Sequence, residues 1–252
     1  MNTDQIHLGG TARSPEDVIT FHKMGLQFAE IPITDPDNFS GLKDNYKGLL
    51  KELGIYYLCH GPQEGDANDI ESLEETYLPK LMHILSIMPE LRMKILTFHL
   101  WMDTRFVDKG AIEYKIGLIK RITEQAKKSG ITICLENLSE KSSHLKKVFD
   151  VFPLLGLTMD LGHGQLLSKE HTGFGFMRAY PERIKHIHLH DNRGGSSHND
   201  DLHLPVGDGV IDFENIFKML KSINYKGTIT LELQPDEIKR CLEYVKRLLT
   251  VK

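Results

Sequence analysis

Short apolar runs alternate with longer amphipathic stretches from one end of the chain to the other. The runs are Gln5–Leu8, Gln27–Ile31, Tyr56–His60, Ile95–His99, Thr132–Glu136, Leu157–Asp160, His186–His190 and Thr228–Glu232. Runs of that length suit buried strands. Between them lie helical patterns, among them Pro15–Met24, Leu73–Met88, Ile112–Lys128 and Phe213–Ser222. Ser14 before Pro15 and Asp212 before Phe213 are good N-caps, and Ser129-Gly130 is a good stop. Repeated βα alternation predicts parallel strands with helical crossovers. The fold class is therefore α/β, and the architecture expected is a (β/α)₈ TIM barrel forming one domain over 1–252. A doubly wound open sheet is the competing arrangement. The barrel is favoured because polar residues end strand after strand. The irregular stretch Asn192–Asp201 is expected to be a working rim loop.

Length and composition narrow this picture without changing it. The 252 residues match a one-domain barrel of about 250. No apolar run approaches the roughly 18 residues of a membrane helix. Met1-Asn2-Thr3-Asp4 has no basic leader character, so a cytoplasmic location is expected. Cys59, Cys134 and Cys241 form no CxxC pair and read as small buried hydrophobes. A net charge of −4 gives no footprint for sequence-independent nucleic-acid binding. Lys120, Arg121, Lys127 and Lys128 read as a solvated helix face. The 13 histidines are the unusual entry in the composition.

Their placement points to metal chemistry. His60, His99, Glu136 and Asp160 close apolar runs, His188 lies in the seventh and Glu232 ends the eighth. Strand C-termini of a barrel meet at one rim, so these side chains are expected to converge there. Mixed imidazole and carboxylate sets suit zinc and manganese. Loops add candidates. In MDLGHG, Gly162 and Gly164 suit a tight turn that aims Asp160 and His163 at the centre. In DDLHLPVGDG, Asp201 and His203 would share a face if extended. Trp101, two residues after His99, is a candidate pocket wall, and Phe174 and Phe176 are either a lid or plain packing.

Taken in order, ICLEN, TMDLGHG, HIHLHDNRG, DLHLPVGDGVIDF and TLEL resemble the xylose isomerase-like TIM barrel superfamily. That group includes sugar isomerases and epimerases and the endonuclease IV enzymes. The resemblance covers the whole chain and is strongest from Ile131 onward. In the isomerase branch it implies a divalent ion on Glu136, Asp160, His188 and Glu232, with Zn²⁺ or Mn²⁺ expected and Mg²⁺ or Co²⁺ compatible. His163 and Arg193 match positions that contact substrate oxygens, and Glu30 in FAEIPI also resembles that branch. The endonuclease branch binds three zinc ions. Its ligands correspond to His60, His99 and Glu136, then Glu136, Asp160, His188 and Glu232, then His163, Asp201 and His203. Departures count against that branch: LWMD follows the His99 position, Leu138-Ser139-Glu140 follows Glu136-Asn137, and Gly61-Pro62-Gln63 follows His60.

The resemblance thus implies an isomerase or epimerase of a small sugar, sugar phosphate or polyol. The metal would polarise a carbonyl, while Glu136 and Glu232 move a proton through an enediolate. His163 and Arg193 would help to meet the negative charge, and Asp191 would orient a histidine. The alternative is a zinc phosphodiesterase acting on abasic DNA.

Overall fold

The computed structural model describes residues 5–250, apart from the side chain of His198. The reading of Met1–Asp4 lies outside the described residues. Eight parallel strands close on themselves in sequence order. They are β1 (His7–Thr11), β2 (Phe28–Pro32), β3 (Tyr56–His60), β4 (Ile95–Phe98), β5 (Thr132–Glu136), β6 (Gly156–Asp160), β7 (Ile184–Leu189) and β8 (Thr228–Leu231). Closure runs from His7 opposite Thr228 to Gly10 opposite Leu231. This removes both sheet edges and rules out the open-sheet alternative. Strand residues such as Leu58, Leu96, Leu135, Ile187 and Ile229 are fully buried, and so is the helix residue Phe213.

Local chemistry explains most boundaries. Ser14 and Asp17 form a reciprocal capping box at the start of the Pro15–Lys23 helix. Asp212 accepts from Asn215 N–H at the start of Phe213–Ser222. Gly130 takes φ 61° after Lys109–Lys128, the left-handed stop that glycine permits. The Lys120–Lys128 cations lie exposed on that helix, and the three cysteines are buried thiols.

Two elements differ from expectation. The first strand is His7–Thr11 rather than Gln5–Leu8. Gly9-Gly10 reads as punctuation in sequence, but a Cβ at Gly9 would run into the Phe28 ring, and one at Gly10 into Phe21 and Ile238. These are strand glycines that admit close neighbours. The Leu73–Met88 helix is not continuous. A π-helical turn spans Leu73–Tyr77, with Leu78 N–H bonded to Leu73 O, before the helix Leu78–Ile87. Pro79 has no N–H to give and crowds the preceding turn, and the wider turn accommodates it. The turn brings the Tyr77 hydroxyl onto the carbonyl of His99 at the rim. No helix among the described residues is long and apolar enough to cross a membrane.

Candidate metal centre

The strand ends deliver their polar residues to one place. His188 Nδ1 lies 3.3 Å from Glu136 Oε1, 3.3 Å from Glu232 Oε1 and 3.7 Å from Asp160 Oδ2. Its other nitrogen, Nε2, sits 3.1 Å from Glu30 Oε2. Glu30 holds only oxygens as acceptors when ionised, so Nε2 carries the proton and Nδ1 presents a lone pair. That lone pair is buried and has no hydrogen-bond partner. A nitrogen facing three carboxylates has the donor chemistry that could hold a cation.

Charge tells the same story. Burial works to lower the His188 pKa, yet the carboxylates of Glu232, Glu30 and Glu136 carry it well above the ordinary imidazole range, so Nδ1 is a basic donor that either a proton or a metal ion would occupy. Burial works to raise the Glu136 pKa, yet His99 and His188 hold it well below the usual carboxylate range. The carboxylates thus favour positive charge at this centre, which protons or a metal ion would supply.

A second circle surrounds this core. His60 Nε2 and His99 Nε2 lie 3.3 Å and 2.8 Å from Glu136 Oε2. His163 Nε2 and His203 Nε2 each lie 3.2 Å from Asp201 Oδ2. In three of these histidines the opposite nitrogen faces a backbone carbonyl. His60 Nδ1 is 2.8 Å from Gly61 O, His163 Nδ1 3.0 Å from Asn137 O, and His203 Nδ1 3.2 Å from Glu232 O. Each can donate N–H to the carbonyl and leave Nε2 free, the usual orientation of a metal-ligating imidazole. All nine ligand positions named from sequence meet at this rim.

The supporting residues are less visible in sequence. Asn137 pairs with the Asp160 backbone through both ends of its amide, at 2.9 Å and 3.0 Å, and locks the ends of β5 and β6 together. His190 went unnamed as a ligand, yet its Nε2 lies 3.3 Å from Asp160 Oδ2 and its ring stacks on His203 at 3.8 Å. Period-two alternation puts His186, His188 and His190 on one face, a signal that could have found it. His186 instead shares Glu30 with His188, at 3.1 Å.

Several roles expected from sequence are corrected by the geometry. Gly162 and Gly164 are required by close approach rather than by turn conformation: a Cβ at Gly162 would run into the His190 ring, and one at Gly164 into His171. Asp191 orients no histidine. Its carboxylate accepts from the N–H groups of Asn192, Gly207, Gly209 and Ile211 and folds the loop that carries His203. The Asp201–His203 segment is not extended, since His203 has φ 45°. Phe176 is fully buried packing within the Gly173–Ala179 helix. Glu30 is 1% exposed and engaged by two histidines, so it sits behind the ligands rather than on a substrate face. Arg193 is exposed on its loop and does not line the neighbouring cavity.

That cavity, of about 390 Å³, opens beside the cluster. His99, His163 and Asp201 of the cluster line it, together with Trp101, Leu138 and Ser139. The pocket-wall expectation for Trp101 agrees with this placement.

Comparison with known proteins follows the same lines. An uncharacterized protein of Methanocaldococcus jannaschii is 25% identical over 221 residues, 84% of this chain and 85% of that one. The inosose dehydratase of Clostridium botulinum is 35% identical over 105 residues, 36% of this chain and 35% of its own length. Among solved structures, a D-tagatose 3-epimerase-like protein superimposes with a TM-score of 0.80 at 21% identity, covering 98% of both chains. An IolI protein with a binding zinc atom gives 0.77 at 16% identity over 96% of both. These two likenesses show the fold. The family model described as xylose isomerase-like TIM barrel matches residues 20–248, and the chain belongs to that family.

Proposed function

We propose that the protein is a divalent-metal-dependent isomerase or epimerase of a small carbohydrate-like substrate. The observation that carries this reading is the unpartnered, buried His188 Nδ1 facing Glu136, Asp160 and Glu232. These four residues would hold the ion, with Zn²⁺ or Mn²⁺ the best match to the donors and Mg²⁺ or Co²⁺ compatible. A bound ion supplies Lewis-acid polarisation of a substrate carbonyl, which acidifies the adjacent C–H.

The chain's own residues then divide the work. Glu136 is surrounded on both oxygens, with His60 and His99 beside Oε2 and His163 and His188 beside Oε1. Glu232 is held more loosely. Its Oε1 shares His188 at 3.3 Å, but among the described residues its Oε2 has only His203 at 3.9 Å and His190 at 4.0 Å, and its side chain is 11% exposed against 1% for Glu136. Glu232 is therefore the better proton carrier, removing a proton beside the carbonyl, and Glu136 is the partner on the metal side. His163 lines the cavity and donates toward developing negative charge on the substrate oxygen. The same first step serves an isomerase, an epimerase and a dehydratase, and the inosose dehydratase relatives fit it.

A second reading is a multinuclear zinc phosphodiesterase. The histidines anchored on backbone carbonyls, His60, His163 and His203, favour it. Metal stoichiometry of the purified protein, paired with assays of ketose turnover and abasic-DNA cleavage, separates the two. One ion per chain, sugar turnover and no cleavage support the isomerase. Three zinc ions and cleavage overturn it.

A further inference from the structure

Trp101 is fixed through every polar group it has. Its backbone N–H donates to Glu64 Oε1 at 2.5 Å, and its backbone carbonyl accepts from Lys115 Nζ at 2.8 Å. Its indole Nε1–H donates to Ser139 Oγ at 2.7 Å. Ser139 passes its own hydroxyl proton to Asp103 Oδ2 at 2.8 Å. One face of the indole stacks on Phe106, with centroids 5.1 Å apart.

Two ion pairs brace this arrangement from behind. Lys115 Nζ lies 2.8 Å from Glu64 Oε2, with the lysine side chain 0% exposed. Arg105 grips the buried Asp103 through Nε, 3.0 Å from both oxygens, and through Nη2 at 2.6 Å. It also donates to Leu167 O and Ser139 O. Burying ion pairs is a poor route to stability, because desolvation offsets the attraction. What these pairs achieve is geometry: they hold one indole at the wall of the cavity.

The cavity's charge limits what it takes. No lysine or arginine lines it among the described residues. The two cations braced behind its wall, Lys115 and Arg105, are already paired with carboxylates. His99 and His163 also line it, and they face Glu136 and Asp201. Among the described residues a phosphate would meet Asp201 at this wall and no unpaired lysine or arginine to receive it. Gln63, Ser139 and Ser197 offer neutral polar groups instead, beside the apolar Leu138, Leu166 and the indole. Its volume of about 390 Å³ suits one small molecule.

We infer that this cavity is a subsite for an unphosphorylated, uncharged sugar or polyol, whose C–H face lies on the Trp101 indole, and that Lys115, Asp103 and Ser139 are the positioning residues that hold that platform. The inference deepens the isomerase reading and rests on it for the nature of the substrate.

Trp101 is the chain's one tryptophan, so its fluorescence reports on the platform alone. The metal-loaded protein is titrated with D-fructose and D-tagatose and, separately, with their 6-phosphates, while acrylamide quenching is followed. The unphosphorylated ketoses should protect Trp101 and the phosphates should not. Ser139→Ala and Lys115→Met should shift the emission to the red, raise quenching and weaken sugar protection about tenfold with metal content unchanged. Ser139→Thr, which keeps the hydroxyl, should restore the wild-type signal. Equal or tighter protection by the phosphates overturns the inference, and so does protection by neither class. Unaltered emission and sugar affinity in Ser139→Ala overturn the positioning role, a result that stands even if Lys115→Met fails to fold. Failure of the isomerase reading looks different: sugars protect Trp101 but are not turned over.

Discussion

Glu30 and His188 form a buried pair, with both Glu30 oxygens within 3.3 Å of His188 Nε2. The carboxylate comes from β2 and the imidazole from β7, so the contact crosses the barrel interior. It fixes the proton on Nε2 and turns Nδ1 toward Glu136, Asp160 and Glu232. Outer partners of this kind typically change metal affinity by about 10–100-fold. Glu30→Gln should therefore weaken divalent-metal binding in that range, measured by competition with a chromogenic chelator. Unchanged affinity would show that the ring is held by packing alone.

The two glutamates proposed to share the proton transfer should separate experimentally. Glu136→Gln removes a carboxylate contacted by four histidines, so both metal retention and activity should be lost. Plasma emission analysis reads the first directly, and wild-type metal content in this variant would count against the ligand assignment. Glu232→Gln should retain more metal but lose about 10²–10⁴-fold in kcat, the usual contribution of a proton-transfer group.

Metal removal should cost stability as well as activity. Without the proposed ion, three carboxylates converge on one nitrogen. Ion at about 100 times its Kd should restore about 2.7 kcal/mol by mass action. Differential scanning fluorimetry with and without a chelator checks this, and a Tm indifferent to both would argue that no ion binds the folded state.

Gly162→Ala places a methyl group where the His190 ring lies. Overpacking of this kind costs about 1–3 kcal/mol, and here it should also move His190 away from Asp160. Gly117→Ala is the control. It lies inside the Lys109–Lys128 helix with open space at the added Cβ, so it should stabilise by about 1 kcal/mol or less. Equal effects of the two substitutions in urea unfolding would refute the steric account.

Asp103 should contribute to acid sensitivity. Burial works to raise its pKa, but hydrogen bonds from Arg105 and Ser139 hold it below the ordinary 3.8. A depressed folded value means that the unfolded chain takes up the proton first. The stabilisation is present above the ordinary value and is lost as pH falls through the folded one. Asp103→Asn should flatten the decline of Tm below about pH 4, and a profile parallel to wild type would remove Asp103 from the account.

The barrel was legible because its periodicity is local. Each apolar run and each cap sits within a few residues, and the runs from Tyr56–His60 onward lie within a few residues of the observed strands. The strand-end ligands were legible for the same reason, since a βα repeat brings every strand end to one rim. His190 was legible in principle, through its alternation with His186 and His188. The extension of the first strand through Gly9-Gly10 was not legible, because a glycine pair in sequence looks the same whether it turns the chain or admits an aromatic ring. Pro79 gave no sign that the helix would widen into a π turn before it.

By itself the sequence determined the α/β repeat, the rim and the identities of the metal-capable side chains, since these follow from residue type and short-range spacing. Only the tertiary structure decided which atom of each points where. The Glu30–His188 pair joins residues 158 positions apart, and Lys115 meets Glu64 from a different crossover. Such contacts depend on barrel closure and on the register between strands, neither of which leaves a periodic trace in the chain. The placement of His188 Nδ1 among three carboxylates is a property of that closure, and the proposed cation site rests on it.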